Sequence, residues 1–253
     1  MKTLRLLFLA LLPALLVLPS FRSARFASRE VRQVATFTDI RLAGSPTVVL
    51  RQGSPQKVEL EGAAADLARI ETTVTNGRLR IGIKNESGQN NSDYDGGLLS
   101  KVMGNSSNVR LGPVTVYVTV AEITGLSVSG SGTMKAATDI KTSNLDLAVS
   151  GSGRLELPQL QGAVVNTAIS GSGSVTVAGT ATRHDIRISG SGGVQANNLR
   201  AEASKVTISG SGTCRVNASK TLDARIAGSG DVYVTGNPQI TSSIAGSGRV
   251  HRS

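Results

Sequence analysis

Catalysis or metal binding needs carboxylates, imidazoles or thiolates gathered at one point. In this 253-residue chain the candidates are few and dispersed. There are two histidines, His184 and His251, and one cysteine, Cys214. His184 stands beside Asp185, which invites an acid–base pairing, but neighbouring residues of a strand point to opposite faces. His184 reads as the start of a strand and His251 as part of the terminal edge, and neither has a second ligand at metal spacing. The run Asn90-Asn91-Ser92-Asp93-Tyr94-Asp95-Gly96 alternates aspartates as a calcium loop does, yet lacks the distal glutamate that completes one. No catalytic residue, metal ligand or cofactor site is expected.

What positions these residues is a repeat. The tripeptide Gly-Ser-Gly recurs seven times, beginning at Gly130, Gly151, Gly171, Gly190, Gly210, Gly228 and Gly246. A period near 20 residues marks a solenoid of stacked rungs. Two residues before each tripeptide stands an apolar residue: Val128, Val149, Ile169, Ile188, Ile208, Ile226 and Ile244. Four residues after its first glycine stands another: Met134, Leu155, Val175, Val194, Cys214, Val232 and Val250. Polar or small residues lie between, so period-two alternation predicts strands with one buried face. Each rung reads as strand, Gly-Ser-Gly corner, strand and variable return turn. At about 4.8 Å per rung, the six steps span roughly 29 Å. The seven corner glycines are structural, because stacked bends leave no room for side chains and favour positive φ. Cys214 falls in an inward row and reads as a small buried hydrophobe.

The same register sorts the outward residues. One row runs Lys135, Glu156, Thr176, Gln195, Arg215, Tyr233, His251, and a second Thr133, Arg154, Ser174, Gly193, Thr213, Asp231, Arg249. A carbohydrate-active β-helix needs clustered carboxylates on an exposed face. Neither row places two carboxylates on adjacent rungs. Lys135 beside Glu156 predicts a surface ion pair, and Arg215 beside Tyr233 a cation–π contact. The final strand carries Arg249, His251 and Arg252, an interaction edge if the last rung is left open.

At the other end, Lys2 and Arg5 precede an apolar run from Leu6 to Leu18, the pattern of a secretory signal. Residues 1–24 are therefore read as a signal peptide with an unfixed cleavage point. The run is too short to span a bilayer, and no later segment is apolar enough. Loss of Lys2, Arg5 and Arg22 lowers the formal charge from +10 to +7. With no tryptophan, three tyrosines and four phenylalanines, the chain lacks stacking platforms for nucleic acid. The charge fits an acidic envelope protein or an anionic polysaccharide better.

Residues 34–125 form a less regular β region that is expected to cap the solenoid of residues 126–250 and run into it. Asn76-Gly77 between Val74-Thr75 and the run from Leu79 to Ile83 is a hairpin signal. Ala43-Gly44-Ser45-Pro46 looks like a decayed corner. The stretch from Ala63 to Ile70 predicts one or two helical turns. Residues 85–108 are rich in Asn, Ser and Gly and read as a long loop.

The export signal, Phe37-Thr38-Asp39-Ile40 with Val58-Glu59-Leu60, the segment from Ile70 to Ile83 and the serial Ser-Gly-Ser-Gly rungs together resemble the head GIN domain family, described as auto-transporter adhesins and as a domain of unknown function. The likeness covers roughly residues 34–250. It implies an all-β, β-helix-like solenoid with an irregular N-terminal cap. It also implies an adhesin-like role: an exported, non-enzymatic binding or scaffold protein that is periplasmic, on the outer surface or secreted. The alternative is a carbohydrate-active enzyme or polysaccharide-binding β-helix. One departure from the family's label is that the sequence stops at Val250-His251-Arg252-Ser253 without the barrel of an auto-transporter.

Overall fold

The computed structural model describes residues 28–84 and 111–252. The signal-peptide reading of residues 1–24 and the loop reading of residues 85–108 fall outside the described residues. The first strands are β1 (Ser28–Arg32), β2 (Asp39–Gly44), β3 (Thr47–Gln52) and β4 (Lys57–Gly62). A single helical turn, α1 (Ala64–Leu67), leads to β5 (Ile70–Thr75), β6 (Arg78–Ile83) and β7 (Thr115–Val120). Asn76 and Gly77 both take positive φ and close the antiparallel β5–β6 hairpin, as a type I′ turn requires.

The repeats follow as β8 (Gly125–Gly130), β9 (Thr133–Ala136), β10 (Ile140–Gly151), β11 (Arg154–Gly171), β12 (Ser174–Gly190), β13 (Gly193–Gly210) and β14 (Thr213–Gly228). The chain closes with β15 (Asp231–Thr235), β16 (Gln239–Gly246) and β17 (Arg249–Arg252). The described strands join in one 17-stranded sheet coiled on itself, and the repeats pair in parallel, rung on rung. The fold is an all-β solenoid with rungs of about 20 residues.

The four rungs between Gly151 and Gly228 do not return through free turns, whereas short bends at 137–139 and 236–238 interrupt the rungs on either side of them. β11 and β13 each run for 18 residues from one corner to the next, so the bends are themselves hydrogen-bonded to neighbouring rungs. Parallel stacking satisfies the backbone wherever two rungs follow the same path. Differences in rung length are absorbed by register shifts, at Leu157/Leu160 between β11 and β12 and at Ala196/Arg200 between β13 and β14.

Inward residues stack into columns. Ile81, Leu42, Val128, Val149, Ile169, Ile188, Ile208, Ile226 and Ile244 are paired in series. All are buried except Ile244, which is 42% exposed against 2% for Ile226. The periodicity places Ile244 inside, but among the described residues no further strand covers it.

The N-terminal half covers the opposite end by an out-of-order insertion. β2 lies parallel between β6 and β8, and β3 lies parallel between β7 and β9. The rung built by β2 and β3 turns at Gly44, which has φ of +103° and pairs with Gly130. β4 then runs antiparallel to β7, and β1 antiparallel to β4, which ends the parallel stack on that side.

Candidate functional site

Corner chemistry comes first, because it fixes which residues face out. Gly130, Gly151, Gly171, Gly190, Gly210, Gly228 and Gly246 pair in one column. At Gly190, φ is +113°, and a Cβ would meet the Gly171 carbonyl oxygen at 2.6 Å. The next glycine of that corner, Gly192, would meet Ile169 Cγ2 at 2.5 Å. Between them the backbone N–H of Ser191 donates to Gly171 O at 2.9 Å, and the other corners repeat this bond. The serine side chains face solvent. The corner column is thus bonded along its length through backbone, and its composition follows from close packing.

The C-terminal rung is the first candidate surface. Among the described residues β16 pairs only with β14 and β17 only with β15, so each leaves a free edge there. Arg249 lies across from Asp231, and His251 across from Tyr233. The His251 ring stacks on Tyr233 with centroids 4.7 Å apart and planes 14° from parallel. The Arg215 guanidinium lies 5.0 Å from the other ring's centroid, which extends the expected pair into a three-member stack along one column. His251 Nε2 also lies 3.3 Å from Asp231 Oδ1. Arg252 occupies the inward column that Val216 and Val234 fill in earlier rungs. Ser242 likewise ends a column that holds Ile186, Val206 and Ala224.

A second surface is a groove of about 350 Å³ on the solenoid wall. One outward row runs Arg183, Ala203, Thr221, Gln239, and the other Asp185, Lys205, Asp223, Thr241. Ser204 and Leu222 lie between the rows. Arg183 donates to both Asp185 oxygens, at 2.9 and 2.7 Å. Arg225 pairs with Asp223 at 3.2 Å. Ser204 is buried, and its Oγ has no hydrogen-bond partner among the described residues.

Beneath this groove is a buried polar pair. His184 lies in the interior of β12 rather than at the start of a strand, in the column Leu145, Val165, His184, Ser204, Leu222. Its Nε2 is 3.0 Å from Thr167 Oγ1. Burial pushes its pKa down to about 4, outweighing the attraction of Asp185. His184 and Asp185 therefore have separate partners, and the sequence register had not brought Thr167 to the histidine. The expected Lys135–Glu156 ion pair is replaced by one within a strand, Arg154 to Glu156 at 3.8 Å. Neither the groove nor the buried pair is signalled by a motif. A column listing of the residues four to seven positions before each corner is the one trace in the sequence that could have found them.

No group of three or more possible metal ligands occurs among the described residues. None of their helices is long and apolar enough to cross a membrane.

Residues 36–238 match the family model described as "Putative auto-transporter adhesin, head GIN domain". No curated protein matches the chain. Among solved structures, one described as a putative adhesin from Bacteroides fragilis NCTC 9343 superposes with a TM-score of 0.78 at 22% identity, covering 91% of this chain and 98% of that one. A structure described as a putative lipid binding protein from Parabacteroides distasonis ATCC 8503 gives 0.71 at 24% identity, covering 90% and 97%. A putative adhesin from Parabacteroides merdae ATCC 43184 gives 0.65 at 17% identity, covering 90% and 96%. These three share the fold. The chain belongs to the head GIN domain family.

Proposed function

We propose that this head GIN domain protein is exported and acts without catalysis, as an adhesin-like binding or scaffold component of the cell envelope or cell surface. Its contact point is the open C-terminal rung, where Arg249, His251 and Arg252 meet an acidic partner. The export half of the reading rests on Lys2, Arg5 and the apolar run that follows them. The binding half rests on the last rung. Among the described residues it has two free strand edges, a basic strand and an exposed Ile244, while the other end is covered by antiparallel strands. A free edge offers backbone groups to a further strand. Arg252 and Ser242, standing where earlier rungs are apolar, disfavour stacking of a second identical coil. Like charges brought opposite one another also oppose such a pairing. An acidic strand would satisfy both the edge and the charge.

An enzyme is the weaker reading. The two groove carboxylates, Asp185 and Asp223, are each tied to an arginine and sit two rungs apart with Lys205 between them. Neither is left free to act as an acid or base.

Fractionation of the native producer, with and without protease applied to intact cells, tests location; a cytosolic protein overturns export. Retention on isolated envelope material tests the edge. Arg249→Ser combined with Arg252→Ser should reduce retention, and salt should weaken the wild-type interaction. Retention unchanged by both treatments overturns the edge as the contact.

A further inference from the structure

The wall groove runs from Arg183 and Asp185 on β12 across β13 and β14 to Gln239 and Thr241 on β16, and its lining contains none of Arg249, His251 and Arg252. We propose that it binds a carboxylate-bearing glycan, a few sugar rings lying along the coil axis with the anionic group opposite Lys205.

Three observations carry this. The strands under the groove are already paired: β13 lies between β12 and β14, and β14 between β13 and β16. Only β16, at the end of the groove, keeps a free edge; a peptide finds no unpaired backbone along the rest, so a ligand lying there is read by side chains. Those side chains are suited to hydroxyl groups. Thr221, Thr241 and the Gln239 amide offer donors and acceptors, and the outer carboxylate oxygens of Asp185 and Asp223 accept, repeated at about one rung spacing. Leu222 is the single large apolar residue of the lining, too little surface for an apolar ligand.

The charge selects an acidic glycan over a neutral one. Arg183 and Asp185 neutralise each other, and Arg225 neutralises Asp223. Lys205 is then the groove's one cation without an ion pair among the described residues. Without an aromatic platform the affinity depends on hydrogen bonds and this charge, and is modest for a single site. Repeated copies of such a protein on a surface would compensate through avidity.

The test is calorimetric titration of the full chain with trigalacturonate, using neutral cellotriose, galacturonic acid monomer, inorganic phosphate and a triglutamate peptide as comparison probes. Trigalacturonate should bind more tightly than all four. Lys205→Gln should weaken it about tenfold, a loss of about 1.4 kcal/mol, and bring it near cellotriose. Thr221→Val should weaken both sugars, and Arg249→Ser with Arg252→Ser should leave both unchanged. Unaltered circular dichroism and melting show that each variant is folded. No binding of trigalacturonate, or equal binding of the acidic and neutral trimers, overturns the proposal. So does a monomer or phosphate that binds as well as the trimer, which would make this a point-anion site. Triglutamate binding as well as trigalacturonate would overturn the glycan assignment.

Discussion

The Thr167 hydroxyl and His184 Nε2 lie 3.0 Å apart inside the coil, one rung from each other, with His184 only 1% exposed. In a column of aliphatic side chains this pair holds an imidazole in its neutral form. Its pKa falls to about 4 from an ordinary 6.5. Above pH 6.5 both folded and unfolded chains carry the neutral ring, and stability from this group is complete. As pH falls from 6.5 to 4 the unfolded chain binds the proton and the folded one does not, so stability is lost across that window. The loss is about 3 kcal/mol. Urea unfolding at pH 7 and pH 4 should show it, and His184→Leu should flatten the dependence. An equally steep dependence in that variant would assign the titration to another group.

Gly190 and Thr176 belong to one strand and face opposite constraints. Gly190 is held at positive φ against the backbone of the rung below, whereas Thr176 points to solvent. Gly190→Val should cost several kcal/mol, of the order of 3 or more. Thr176→Ala should change stability by less than about 0.5 kcal/mol. Similar losses measured by chemical denaturation would mean that the faces are misassigned.

Ile188 and Ile244 stand in the same column, where Ile188 is buried between Ile169 and Ile208 and Ile244 is exposed. Ile188→Ala should cost about 2–5 kcal/mol, since it opens a cavity between two rungs. Ile244→Ala, at the uncovered end, should cost less than about 1 kcal/mol. A large loss at Ile244 in the isolated protein would show that the end rung is covered in solution.

Cys214 is fully buried between Val194 and Val232, and burial pushes its thiol well above the usual range. A maleimide or disulfide reagent should label it only as fast as the coil opens, with the rate rising steeply in urea. Rapid labelling in native buffer would contradict its place in the core.

The architecture was legible because a solenoid repeats its constraints. Each rung meets the same neighbours, so the requirement for glycine at the bend and for an apolar residue two places earlier is printed again at Gly151, Gly171, Gly190 and Gly210. Those positions determine the fold, the inward columns and the burial of Cys214. Tertiary structure alone decided the rest. The β2–β3 rung is inserted between strands that come later in the chain, and nothing local names its partners, because pairing across 40 or 80 residues depends on which edge is free when the coil assembles. Ile244 carries the same local signal as Ile226, and its exposure follows from its place on β16, which pairs only with β14 among the described residues. The groove combines Lys205, Thr221 and Gln239 from three rungs, and Thr167 meets His184 across two. Such juxtapositions are made by stacking register, and the bulges that set this register are shared between neighbouring strands rather than encoded in either one.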